Sequence, residues 1–144
     1  MSPRGPLSLD ELAELFEGRT RFVELLAERE APLEAAPQVI AELSEAEKLE
    51  ALNAHPAIGA MGLSARSAEE QGADTDPVMQ TELAYLNQVY EEKFGFRFVV
   101  FVNRRSKAEI LELLGERLER TREEELETAL GELVAIARDR LERG

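Results

Sequence analysis

The chain's only histidine, His55, is followed at once by Pro56. The stretch they open, residues 55–71, turns on glycines and closes with Ser67-Ala-Glu-Glu70-Gln71. Histidine is the side chain that can hold or release a proton near neutral pH, and a carboxylate within reach can orient it or fix a ligand's N–H groups. A stretch that breaks one helix, turns and starts another has no obvious packing purpose, so a site is expected here. Residue type alone leaves plainer readings open. A lone histidine at a helix end is by default a partner of the C-terminal dipole. Ser67 and Glu70 have capping-box spacing, and Gln71 alone reads as solvent-facing. One Glu70 conformation cannot serve both uses: if it faces a ligand, Ser67 alone or Glu69 must serve the cap.

Composition narrows the chemistry. The 144 residues include no cysteine and one histidine, which excludes disulfides, thiolate zinc sites, cysteine nucleophiles and histidine-rich metal centres, though not a carboxylate site. The net charge of −13 argues against a nucleic-acid surface. Residues 55–107 hold six Lys/Arg against seven Asp/Glu, a balance of −1, and the flanks hold 11 against 23, a balance of −12. The middle is therefore where an anionic small molecule meets the least repulsion, while the flanks read as acidic, solvated helix faces. No apolar run approaches the ~18 residues of a membrane span, no signal peptide opens the chain and no peroxisomal address closes it. A soluble cytoplasmic protein of one domain, residues 1–144 with 1–7 flexible, is the expectation.

The elements that must position the site are helices. Five Ser/Thr-x-x-Glu boxes, at Ser8, Ser44, Ser67, Ser106 and Thr121, each open a helix-compatible stretch. Helices are predicted from Leu9 to Phe16 and from Thr20 to about Glu28. Residues 32–43 are also helix-prone, but Pro37 inside them predicts a kink or two short pieces. The helix after Ser44 must finish near Ala54, because Pro56 pushes His55 out of helical geometry. A short helix is predicted from Ser67 to Gly72. Asp76-Pro77 opens a helix with Met79, Leu83, Leu86 and Tyr90 as its buried stripe. Two last helices turn Ile110, Leu111, Leu114 and Leu118, then Leu126, Leu130, Leu133, Val134, Ala137 and Leu141, inward. The fold class is all-α, a compact bundle of about seven to eight helices.

One segment disagrees. Residues 94–102, Phe-Gly-Phe-Arg-Phe-Val-Val-Phe-Val, are aromatic and β-branched and read alone as a buried strand. No second convincing strand exists to pair with it, so it is read as an extended segment between helices. Its free N–H and C=O groups need partners, which a bound ligand could supply. Phe94, Phe96 and Phe98 read first as core. Lys93, Arg104 and Arg105 read as surface charges, and Arg97 is a candidate for holding an anion.

Three spaced blocks carry a resemblance: His55-Pro56-x-Ile58-Gly59; Ser64-Ala-Arg-Ser67-x-x-Glu70-Gln71; and Leu86-Asn87-x-x-Tyr90-x-x-Lys93-Phe94-Gly95-Phe96-Arg97-Phe98-Val-Val. Together with the 110–118 pattern and the Ile136-Ala-Arg-Asp-Arg-Leu141 ending, they resemble 2-oxo-4-hydroxy-4-carboxy-5-ureidoimidazoline (OHCU) decarboxylase over roughly residues 19–141. The resemblance implies an all-α, homodimeric, cofactor-free enzyme completing the route from urate to (S)-allantoin. It implies His55 as the essential histidine and Glu70 as the catalytic carboxylate. Pro56, Ser67 and Gln71 correspond to ligand-contacting positions, and Phe98, Val99, Val100, Phe101 and Val102 to a segment whose backbone meets substrate. The span from Gly59 to Ser64 is several residues shorter than in animal and plant forms and looks like the bacterial form. Position 97 is Arg where many relatives have Pro, and the N-terminal third lacks a tryptophan often found there.

The chemistry implied suits the residues. The substrate carries a hydroxyl and a carboxylate on one ring carbon beside a C=N bond, so it supplies its own electron sink when CO2 leaves. The protein has only to orient and desolvate the carboxylate and manage one proton. The free N–H groups of the helix begun by Ser67 suit a carboxylate. Two other readings stand beside this one. The first is a non-catalytic helical protein-binding module whose 55–71 stretch is only a turn. The second is an inactive family member that partners other urate-pathway enzymes.

Overall fold

A computed structural model describes residues 7–55, 77–102 and 105–143. They form seven helices and no strand: α1 (Leu9–Leu15), α2 (Arg21–Ala27), α3 (Pro32–Glu42), α4 (Glu45–Ala54), α5 (Pro77–Phe94), α6 (Lys107–Leu118) and α7 (Arg122–Arg143). The all-α class is as expected. The short helix expected from Ser67 to Gly72 falls outside the described residues.

Four of the five boxes close as their spacing predicts. Ser8, Ser44 and Ser106 each accept from the amide three residues on, while Glu11, Glu47 and Glu109 reach back to the cap. At the start of α7, Thr121 and Glu124 exchange the same two bonds, at 3.1 and 3.0 Å. Each box satisfies amides that the helix start leaves unpaired. The fifth box, Ser67 to Glu70, lies outside the described residues.

The helices meet in a continuous core. α1 packs on α2, α2 lies against α3 and α4, and α7 crosses α1, α3 and α4, while α5 pairs with α6. Phe22, Val23, Leu26, Leu12, Leu52, Leu114 and Ala137 are fully buried where these faces meet. The stripe on α5 is rotated from the one predicted. Its buried residues are Leu83, Asn87, Tyr90 and Phe94, with Met79 and Leu86 only partly covered. Asn87 can enter the core because its side-chain N–H bonds the Leu83 carbonyl one turn back, at 2.9 Å.

Two predicted interruptions resolve differently. Pro37 breaks nothing: α3 runs unbroken from Pro32 to Glu42. Proline removes the N–H that would bond the carbonyl four residues back. That carbonyl, Leu33 O, accepts instead from Arg138 Nη2 of α7 at 2.9 Å. The segment after α5 is non-helical and forms no strand, as expected, starting at Gly95, whose φ of +82° suits only glycine without strain.

Candidate active site

α4 delivers His55 as its C-terminal cap. The His55 amide still bonds the Leu52 carbonyl at 3.2 Å, but its φ and ψ of −77° and 135° are extended, so the chain leaves the helix there. The proline that follows accounts for this geometry. The side chain is buried, 7% exposed, and among the described residues its Nδ1 has no hydrogen-bond partner. Burial foremost, then the Arg140 guanidinium, pushes its pKa down from 6.5 to about 4; the Glu17 carboxylate pulls the other way and Arg97 adds a further downward push. At neutral pH the imidazole is therefore uncharged and able to accept a proton.

Residues from the two ends of the chain surround it. Arg140 of α7 is 1% exposed and donates from Nη1 to Leu15 O at 2.9 Å and to Glu17 Oε1 at 3.1 Å. Glu17 has a φ of +65°, the left-handed position that commonly closes a helix and usually goes to glycine. The Gly18 amide completes that closure on Ala13 O at 2.9 Å. Glycine is needed one place later for space, since a Cβ at Gly18 would stand 3.1 Å from the Ala54 Cβ, next to His55. So α1 ends against α4 at the histidine, with a strained glutamate held by a buried arginine. Neither Glu17 nor Arg140 is among the expected site residues. Arg140 had a signal in the sequence: it continues the inward face of Leu130, Leu133 and Ala137, where a charge is out of place. Glu17 had none.

The segment after α5 meets this site at Arg97, which donates to His55 O, and most of its other side chains lie in the core. Phe98, Val99, Val100 and Val102 are buried and Phe101 is half-buried. Tyr90, Phe94, Phe96 and Phe98 pack ring against ring, with the Tyr90 centroid 4.6–5.9 Å from the other three. The backbone groups find side chains where a sheet would have supplied a neighbouring strand. Arg122 Nε donates to Phe94 O at 2.8 Å, Arg117 Nη1 to Val99 O at 2.8 Å, and Arg105 Nη1 to Phe101 O at 3.1 Å. Glu132 accepts from the Phe101 amide at 3.4 Å. The Val100 amide and carbonyl have no partner among the described residues.

Arg117 is itself held by the fully buried Glu125, at 2.7 Å. Glu125 also accepts from Tyr90 Oη at 2.6 Å and Arg120 Nη1 at 2.9 Å. Burial, and the bond to Glu125, raise the Tyr90 phenol above its ordinary pKa, so it stays protonated as a donor. A buried carboxylate with three donors is compensated, and it fixes the guanidinium that fixes Val99.

Arg97, the candidate for holding an anion, is tied to the protein through two of its three guanidinium nitrogens. Its Nε faces Glu91 at 3.3 Å, and its Nη1 donates to Asn53 O and His55 O. Pro56, Ser67, Glu70 and Gln71 lie outside the described residues, so of the expected catalytic pair only His55 is placed.

Comparison with known proteins agrees with this architecture. The OHCU decarboxylase family model matches residues 8–142. The 2-oxo-4-hydroxy-4-carboxy-5-ureidoimidazoline decarboxylase of Halalkalicoccus jeotgali is 36% identical over 114 residues, 76% of this chain and 65% of that protein. A uric acid degradation bifunctional protein of Bacillus sp. (strain TB-90) is 34% identical over 110 residues, 73% of this chain but 22% of its own length. The chain thus spans just under two thirds of the first of these relatives and about a fifth of the second. An OHCU decarboxylase crystallised in the presence of (S)-allantoin superposes with a TM-score of 0.76 at 26% identity, covering 92% of this chain and 96% of that one. The chain belongs to the OHCU decarboxylase family.

Proposed function

We propose that this chain decarboxylates 2-oxo-4-hydroxy-4-carboxy-5-ureidoimidazoline to (S)-allantoin, acting as a carboxy-lyase of urate degradation that needs no cofactor. The single observation that carries this reading within the molecule is the buried, uncharged His55, its Nδ1 without a partner among the described residues. Family membership over residues 8–142 supports the substrate class.

In this reading the neutral imidazole accepts the proton of the substrate hydroxyl. The bond to the carboxylate breaks, CO2 departs, and the electron pair shifts toward the ring C=N, whose nitrogen takes up a proton. The hydroxyl carbon becomes the ketone as the imidazolium returns its proton to one face of the neighbouring carbon, which gives one enantiomer, while the proton on the nitrogen, the one decarboxylation consumes, comes from solvent. Glu70 holds the ureido or ring N–H groups and orients His55. Pro56, Ser67 and Gln71 contact the ligand, as does the main chain of Phe98–Val102. The backbone groups of Val100, without a partner among the described residues, support that last role. The buried surroundings of His55 keep water from the carboxylate, and a desolvated carboxylate loses CO2 more readily.

We further propose that residues 1–144 act as one such domain, in the cytoplasm, as a homodimer. Association with other urate-pathway enzymes is supported by the bifunctional relatives, in which the matched part is a fraction of a longer chain. Among the described residues no helix is long and apolar enough to cross a membrane.

The test is to generate OHCU in place with uricase and hydroxyisourate hydrolase and follow the product by circular dichroism. Rapid appearance of optically active allantoin is expected, and slow racemic product at the uncatalysed rate overturns the reading. His55→Ala is expected to keep its helical spectrum and lose at least about 100-fold in turnover, the range of general acid–base contributions. A folded His55→Ala variant with a near-normal rate rejects the histidine's role.

A further inference from the structure

α4 ends with no basic residue in its last turn, so its final carbonyls and the negative end of its dipole need a partner from elsewhere. Arg97 supplies it. Nη1 donates to the Asn53 carbonyl at 3.1 Å and to the His55 carbonyl at 2.7 Å. Asn53 answers with its side chain, whose Oδ1 accepts from the Arg97 main-chain amide at 3.0 Å. From the other side Glu91 of α5 holds Nε at 3.3 Å. The last turn of α4, the first residues of the extended segment and α5 are thus joined at one side chain.

His55 sits where the helix has ended, so the direction of its ring depends on the backbone turn at that residue. A bond to its own carbonyl fixes that turn. The same bond ties His55 to Arg97, from which the chain continues directly into residues 98–102.

We propose that Arg97 is a positioning residue for His55: by bridging the Asn53 and His55 carbonyls to Glu91, it fixes the direction of the imidazole and its spacing from the 98–102 main chain. This rests on the decarboxylase reading, and Arg97 acts there through its Nε and Nη1, which are engaged with protein acceptors.

The single histidine makes the test direct, since every imidazole signal in a carbon- or nitrogen-correlated NMR spectrum belongs to His55. Arg97→Gln removes the bridge, and Arg97→Lys keeps one charged donor able to reach a single carbonyl. Arg138→Gln removes a guanidinium–carbonyl bond of the same kind, to Leu33, that has no part in the site. Arg97→Gln is expected to shift the imidazole signals and to lower kcat about 10- to 100-fold, the scale of a misplaced catalytic group. KM should change less than about 3-fold, because ground-state binding is untouched. Arg97→Lys should recover part of kcat, and Arg138→Gln should leave both the spectrum and kcat at wild-type values.

A folded Arg97→Gln variant with wild-type imidazole signals and kcat overturns the proposal. So does a matching imidazole shift in Arg138→Gln, which would mark a general loosening. If Arg97→Gln does not fold, Glu91→Gln, which frees the guanidinium from one side only, takes its place with the same expected shift, and an unmoved spectrum there overturns the proposal. A wild-type protein without turnover would sink the decarboxylase reading alone, because the spectra still decide whether Arg97 sets the imidazole.

Discussion

A buried neutral histidine leaves a thermodynamic mark that needs no substrate. With the pKa of His55 lowered from 6.5 to about 4 in the folded chain, the unfolded chain binds a proton first as pH falls. The contribution of His55 to stability is complete above pH 6.5, declines through the window from 6.5 to about 4, and is lost below it. The change amounts to roughly 3 kcal/mol across the window. Urea midpoints measured at several pH values check this against His55→Gln, whose curve should be flatter there by that amount. Carboxylates do not confuse the comparison, because both proteins share them. Glu47, Glu109 and Glu124, held low by the main-chain amides of Ser44, Ser106 and Thr121, titrate below the ordinary carboxylate range. At this scale, His55 was legible because it is unique and precedes a proline. Glu17 was not, because nothing in residue order says that an arginine near the other terminus reaches it.

Among the elements, α3 shows how far local rules carry. A proline in the middle of a helix should break it, and the rule fails here because its premise is met from outside. Arg138 takes the carbonyl that Pro37 leaves without a donor. Arg138→Met is therefore expected to cost about 1–3 kcal/mol, the penalty of an unsatisfied carbonyl. Adding Pro37→Ala should return much of that, since an alanine in place of the ring brings back the intrahelical N–H. A double-mutant cycle read by chemical denaturation measures the coupling, and simple additivity would show that the guanidinium and the ring do not share this carbonyl. The helix starts, in contrast, were legible to the residue, because a capping box is complete within four positions. The stripe on α5 was right at Leu83 and Tyr90 but turned slightly elsewhere, because hydrophobic spacing cannot see that the Asn87 side-chain N–H bonds Leu83.

Across the whole molecule, the acidic surface conceals a set of inward arginines. Arg117 and Arg140 are 3% and 1% exposed, and with Arg97, Arg122 and Arg138 they donate to main-chain carbonyls, linking distant parts of the chain. Arg117→Met is expected to destabilise by about 3–5 kcal/mol, the cost of breaking a buried pair on one side, because Glu125 stays behind. Thermal unfolding checks this, and a loss below about 1 kcal/mol would mean that Arg120 and Tyr90 suffice for Glu125. The all-helical class and the unpaired extended segment were readable from composition and spacing. How that segment is satisfied was not, since each arginine that serves it looks like an ordinary surface charge in the sequence.

The guanidinium bonds along residues 94–102 also bear on self-association. A β-prone ribbon with open carbonyls is a template on which a second copy can dock, edge to edge, and grow into fibrils. Here the Phe94, Val99 and Phe101 oxygens are occupied by bulky cations from α7, α6 and the loop before α6, so an incoming strand finds no continuous row of acceptors. The arginines that tie down this stretch thereby also occupy acceptors through which it would recruit its own kind.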